Sequence, residues 1–154
     1  MSMNIAVREA QDTDIHAVAE LFDLYRQFYE QVPDLALARQ FIEARLSRHE
    51  SVILVAESAS SGLLGFCQLY PSFCSVEARP IYALYDLFVL PAARKQGVGR
   101  MLLLAAEAKA AKDGMARMDL TTARSNTPAQ SLYESLGWVR DDIFLAYNRR
   151  VDPL

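Results

Sequence analysis

Apolar and polar positions change their period repeatedly along this chain, and each change marks an element. Asn4 to Arg8 has the composition of a short first strand. Asp12 or Thr13 is placed to cap a helix in which Ile15, Val18, Ala19, Phe22, Tyr25 and Tyr29 return to one face. Pro33 interrupts, and Asp34 starts a second helix whose spacing of Ala38, Phe41, Ile42, Arg45 and Leu46 carries on to about Arg48. Ser51 to Glu57 predicts a strand, Ser58-Ala59-Ser60-Ser61-Gly62 a hairpin turn, and Leu63 to about Pro71 a third strand. Ser72 to Pro80 has the composition of a loop. Leu84 to Leu90 is apolar, aromatic and β-branched, as a buried strand requires, and Pro91 stops it.

The second half changes to helical spacing. Val98 to Lys112 carries leucine and alanine round most of its circumference, as does a helix packed on a sheet, and Asp113-Gly114 ends it. Met115 to Thr121 predicts another strand. In Thr127-Pro128-Ala129-Gln130 a Thr cap, a Pro at the first helical position and a Gln at the capping-box position start a last helix. Ala129, Leu132, Tyr133 and Leu136 form its apolar face, and Gly137 supplies the left-handed terminator. Trp138-Val139 and Ile143 to Val151 are expected as closing strands. The order β, α, α, β, β, β, α, β, α, β, β implies an α/β chain with a mixed sheet and helices on its faces. With 154 residues and no repeat or linker, one domain over 1–154 is the economical expectation.

Composition narrows the function classes. Acidic residues outnumber basic ones and the net charge is −3, which argues against a general nucleic-acid binder and leaves small cationic partners open. Met1-Ser2-Met3-Asn4 lacks the basic and apolar segments of a secretory leader, and no apolar run approaches the ~20 residues of a membrane span, so a cytoplasmic location is expected. Cys67 and Cys74 are too few for a disulfide framework, and His16 and His49 stand in no ligand spacing, so no metal is expected. The two cysteines read as core thiols, with a nucleophilic cysteine as the alternative.

Chemistry concentrates between Tyr85 and Arg100, which reads as strand, basic glycine turn and helix start. Gly97 and Gly99 let the backbone come close to a ligand, so that successive N–H groups converge on phosphate oxygens at the positive end of the following helix. Arg94, Lys95 and Arg100 add positive charge. A plain strand-to-helix turn with solvated basic residues explains the same spacing.

Two motifs decide between them. Val89, Pro91, Arg94, Gly97 and Gly99 fill a V-x-P-x-x-R-x-x-G-x-G pattern, and Asn126, Ala129, Leu132-Tyr133, Leu136-Gly137 and Trp138 fill N-x-x-A-x-x-L-Y-x-x-L-G-aromatic. With both in order, the chain resembles the GNAT family of N-acetyltransferases, and within it the branch that acetylates amines, polyamines and histones. The resemblance covers Ile81 to Trp138; before that only the order of elements agrees. It implies a mixed, mostly antiparallel sheet of six to seven strands, splayed beside the central strand into a cofactor cleft. It also implies acetyl-CoA as cosubstrate, with pantetheine on the backbone of Leu87, Phe88 and Val89. The pyrophosphate would lie on the amides of Gln96, Gly97, Val98 and Gly99, with charge from Arg94, Arg100 and, more weakly, Lys95. Asn126 would either bond the cofactor or make an Asx turn into the last helix.

In the implied reaction a primary amine attacks the thioester directly in a ternary complex. An alkylammonium of pKa ~10.4 is the free nucleophile in only about one molecule in a few thousand at neutral pH, so a base or a water relay must take its proton. Asp86 is the carboxylate of the central strand, a candidate base or a structural group. Where the polyamine-acetylating branch often has an acid, this chain has Tyr85. Tyr133 falls where the family places the tyrosine that protonates the departing thiolate, although on spacing alone it is a core aromatic. Tyr25, Phe28, Tyr29, Glu30 and Asp34 cluster before the second strand, and aromatic faces with acids suit a cation. Tyr25, Tyr29, Glu30 and Tyr85 are therefore the substrate-binding candidates. A small amine, polyamine or amino acid is the expected acceptor, with protein lysines or N-termini as the alternative. A dinucleotide-binding protein, with Asp119 as the ribose acid, and a silent coenzyme A sensor are the other classes. The family also implies a homodimer.

Overall fold

Four strands in sequence order build an antiparallel meander: β1 (Ile5–Glu9), β2 (Val52–Ser58), β3 (Gly62–Cys74) and β4 (Arg79–Val89). A fifth, β5 (Met118–Asp119), lies parallel to β4 and gives the sheet order β1-β2-β3-β4-β5. The computed structural model describes residues 4–152, so the expectation for Met1 to Met3 lies outside the described residues. The chain divides between Thr121 and Thr122 into two units, and the sheet belongs to the first.

Helices α1 (Ile15–Phe28) and α2 (Leu35–Ser47) cover one face of that sheet. There Val18, Leu21 and Phe22 of α1 and Ala38 and Ile42 of α2 share a core with Ile53, Val55, Phe66 and Phe88. Leu54 and Ala56 alternate with Ile53 and Val55, so they point away from that core. Helix α3 (Val98–Lys112) packs on β1 to β4 with Val98, Leu102, Leu103, Ala106 and Ala110 buried. The second unit contains α4 (Thr127–Ser135). The mostly antiparallel order is not that of a doubly wound dinucleotide fold. Asp119 is instead held by Arg117 at 2.8 Å.

Several expectations shift. The proposed loop from Ser72 to Pro80 is mostly strand, with a tight turn at Ser75 to Ala78. Pairing of β3 with β2 ends at Leu69, and from Tyr70 to Cys74 it pairs with β4 alone. On the β3 side of this arm Pro71, Ser72 and Phe73 are exposed, so no apolar alternation marks the strand there. Pro71, lacking a donor, is tolerated on its open side. Only Met118 and Asp119 of the strand expected from Met115 to Thr121 pair regularly, opposite Tyr82 and Ala83. No strand is found at Trp138-Val139 or Ile143 to Val151, so the described sheet has five strands rather than six or seven. Ile143, Phe144, Leu145 and Tyr147 have strand propensity but no hydrogen-bonding partner strand, and they are exposed.

Helix starts also differ by a residue or two. Asp14, not Asp12 or Thr13, precedes α1, and its carboxylate accepts from the Gln11 N–H and from Arg8 instead of capping the helix. Asn126 rather than Thr127 caps α4, accepting from the Ala129 N–H at 3.3 Å. Gln130 donates to the carbonyls of Ala123 and Arg124 instead of closing a capping box. Asp34 caps α2 as expected, by accepting from the Leu37 N–H. Both cysteines are free. Cys67 is a core thiol, pushed up to about 12 by burial. Cys74 is only half-buried, and its Sγ accepts from Arg117 at 3.3 Å. Among the described residues no group of His, Cys, Asp and Glu is gathered that could hold a metal, and no helix is long and apolar enough to cross a membrane.

Candidate active site

Strand β4 is interrupted where the chemistry is expected. Gln68 of β3 faces Asp86 of β4 and the next residue, Leu69, faces Leu84, so Tyr85 is an extra residue in the ladder. A bulge of this kind bends its strand and re-aims neighbouring side chains. Here it leaves the Tyr85 ring outside, 70% exposed, and turns Asp86 inward to 4% exposure. On its other side β4 meets β5 only at Tyr82 and Ala83, so Leu84 to Val89 have no strand partner there among the described residues. Leu87, Phe88 and Val89 thus lie on an edge where an extended ligand bearing amides can add like a strand. Gly65 keeps the β3 side of this segment close, since a Cβ there would stand 2.7 Å from the Phe88 carbonyl oxygen.

Beyond Val89 the chain makes a 3-10 turn at Pro91–Ala93 and enters α3. Lys95 and Gly97 both take left-handed backbone, at φ 64° and 81°. No side chain caps α3. The N–H groups of Val98, Gly99 and Arg100 in its first turn therefore remain available at the positive end of the helix dipole. Lys95, Gln96 and Arg100 are exposed around them. Arg94 is tied back, its Nε donating to the Val89 carbonyl at 2.9 Å and its guanidinium lying over the Phe88 ring. Backbone donors, a glycine at a left-handed position and surrounding positive charge form a donor set that fits a diphosphate.

Asp86 opens on a cleft of about 360 Å³ in the first unit, into which four tyrosines project: Tyr25, Tyr29, Tyr70 and Tyr85. Gln68, fully buried, donates from Nε2 to Asp86 Oδ2 at 2.6 Å and accepts from the Ser51 hydroxyl at 2.7 Å. The Tyr25 hydroxyl sits between the Asp86 carboxyl and the Tyr85 carbonyl, which is 3.2 Å away. Burial raises Asp86 above the ordinary carboxylate range, while the hydrogen bonds from Gln68 and Tyr25 pull the other way. Burial and the nearby Asp86 push the Tyr25 phenol up in turn, so it stays a donor at neutral pH.

The cleft gathers Tyr25, Tyr29, Tyr85 and Asp86 from the sequence candidates. It does not gather Glu30, which follows α1 as an exposed residue at φ 64°, nor Asp34, which is spent on capping α2. Tyr70 and Arg26 are additions to the cleft lining, and Gln68 is an addition behind it, bonded to Asp86. Gln68 had a signal, being the lone polar side chain in the run from Leu63 to Leu69. In the second unit Tyr133 lies half-buried on α4, its ring 6.0 Å from that of Trp138. Asn126 makes the capping bond to α4.

Comparison with known proteins agrees with this geometry. A model of the acetyltransferase (GNAT) family matches residues 16–138. The uncharacterized N-acetyltransferase YhfO of Bacillus subtilis is 47% identical over 141 residues, which are 92% of this chain and 94% of that protein. The crystal structure of a probable acetyltransferase superposes with a TM-score of 0.90 at 37% identity, covering 96% of this chain and 98% of the other. An aminoglycoside N-acetyltransferase, AAC(6')-Iy, in complex with CoA has the same fold at a TM-score of 0.81 and 19% identity, over 97% of each chain.

Proposed function

We propose that this chain, which belongs to the acetyltransferase (GNAT) family and is an N-acetyltransferase using acetyl-CoA, acetylates the primary amine of a small molecule by direct attack in a ternary complex. The observation that carries the reading is the buried, bulge-aimed Asp86 carboxyl opening on an aromatic cleft. The amine, polyamine and amino-acid branch of the family belongs to this proposal, and an aminoglycoside enzyme among the structural neighbours is in keeping with an amine acceptor. A single catalytic domain over 1–154 is part of it too, supported by a family match that runs across both units. So is a homodimer in contact through the exposed apolar residues after Gly137. The two free thiols suit a reducing, cytoplasmic compartment.

Acetyl-CoA supplies the activated acetyl thioester. Gln96, Gly97, Val98 and Gly99 hold its diphosphate by backbone amides, with Arg94, Lys95 and Arg100 lending charge. Leu87, Phe88 and Val89 hold the pantetheine amides by their own main chain, and Asn126 fixes the start of α4. Asp86 accepts the ammonium proton, directly or through a water, and so gives a route to the free amine, which at neutral pH lies roughly 4 to 5 kcal/mol above the ammonium. Its raised pKa makes it a better acceptor than an ordinary carboxylate. Tyr25, Tyr29 and Tyr85 offer ring faces to the incoming cation. Tyr133 supplies the proton for the leaving sulfur.

Thiol release from acetyl-CoA tests the reading against small amines, amino acids, polyamines, aminoglycosides and a lysine-containing peptide. Release above the hydrolytic background with a small primary amine is expected. Release only with the peptide moves the acceptor to proteins, and no release with any of them overturns catalysis.

A further inference from the structure

The acceptor cleft is lined by a cation, Arg26, that forms no ion pair among the described residues. Arg26 of α1 lines the same cleft as Asp86, and its Nη1 is buried with no hydrogen-bond partner. A buried guanidinium nitrogen without an acceptor is costly, so such groups are nearly always matched by something. The acids near it in sequence are engaged elsewhere or turned away. Asp23 accepts from the Gln27 side chain at 3.1 Å and from the Asp34 N–H at 2.9 Å. Glu30 is exposed and does not line the cleft. Asp86, the one carboxylate of the cleft, takes its hydrogen bonds from Gln68 and Tyr25, and no ion pair joins it to Arg26 among the described residues. The cleft thus presents a separated acid and base, with tyrosine rings around them.

We propose, resting on the acetyltransferase reading above, that the acceptor carries a carboxylate as well as the amine to be acetylated. The amine goes to Asp86 and the carboxylate to Arg26, so the substrate is an amino-acid-like zwitterion. A guanidinium meets a carboxylate through two parallel N–H bonds, a geometry that an ammonium or a neutral sugar cannot supply. The same charge works against polyamines and aminoglycosides, whose further cations would be brought beside Arg26 in a partly desolvated cleft.

Matched pairs of acceptors that differ only in the carboxylate test this. Lysine with cadaverine and ornithine with putrescine are compared by kcat/KM in thiol release, and by calorimetric binding to the protein saturated with CoA. The wild type is expected to favour the amino acid of each pair by about ten- to hundred-fold, mostly in KM. Arg26→Gln brings that ratio close to one, and Arg26→Lys keeps part of it, with unfolding temperatures checking that each variant folds. Equal or better use of the decarboxylated amines by the wild type overturns the proposal and leaves acetyl transfer standing. Amino-acid binding that depends on Arg26 but yields no thiol release supports the carboxylate site at Arg26 and overturns the transfer reading. Absence of both binding and release overturns both.

Discussion

A carboxyl group held at 4% exposure is stable only in balance between desolvation and its donors, and at Asp86 desolvation prevails. The neutral acid is favoured in the folded protein relative to the unfolded chain. Between the ordinary carboxylate pKa and the raised folded value the native state binds more protons, so this residue costs stability as pH rises and costs nothing below the ordinary value. Asp86→Asn is therefore expected to melt above wild type at pH 7, with the gap closing as pH falls below about 4. The same variant is expected to lose about 10²- to 10⁴-fold in kcat, and the wild-type rate should rise with pH through the raised pKa. Melting scans and pH–rate profiles on both proteins check this; a variant less stable at pH 7 and equally active would mean that Asp86 serves structure alone. Asp86 and Tyr85, as the carboxylate of an apolar strand and its neighbour, and Tyr25 and Tyr29, as part of an aromatic cluster, could be picked out of the chain, and the cleft gathers all four. Arg26 could not be, since on an amphipathic helix a lone arginine between Tyr25 and Gln27 looks like any solvated residue until its partners are sought in three dimensions.

Elements were legible wherever local chemistry defines them. Helix α3 has the expected bounds because Gly97 at φ 81° and Gly114 at φ 74° bracket a run of good helix formers. Asp34 caps α2 and Gly137, at φ 91°, follows α4 for equally local reasons. The arm of β3 and β4 was missed because its stability comes from pairing between strands, which no single segment encodes. The shift of the α4 cap to Asn126 has a direct test. Asn126→Ala removes the acceptor of the Ala129 N–H and should cost about 1 kcal/mol in urea unfolding, whereas Thr127→Ala should cost far less. If Thr127→Ala is the more damaging of the two, the cap belongs where the sequence pattern first placed it.

At the level of the whole molecule, the segment from Ile81 to Trp138 carries both motifs and lies within the matched residues 16–138. The preceding half was readable only as an order of elements, because its strands and helices are specified by apolar faces that many sheets share. Yet that half supplies Gln68, Tyr25 and Arg26, and with them the surroundings of Asp86. That β4 has no strand partner on its β5 side beyond Ala83 among the described residues has a practical consequence. A row of backbone groups without a neighbour invites other chains to attach, and a bound pantetheine occupying that row protects against it. Preparations freed of coenzyme A should cloud at lower protein concentration and lower temperature than those kept in excess coenzyme A, as turbidity during slow heating records. The cosubstrate would then serve the cell twice, as reagent and as the guardian of its own enzyme's shelf life.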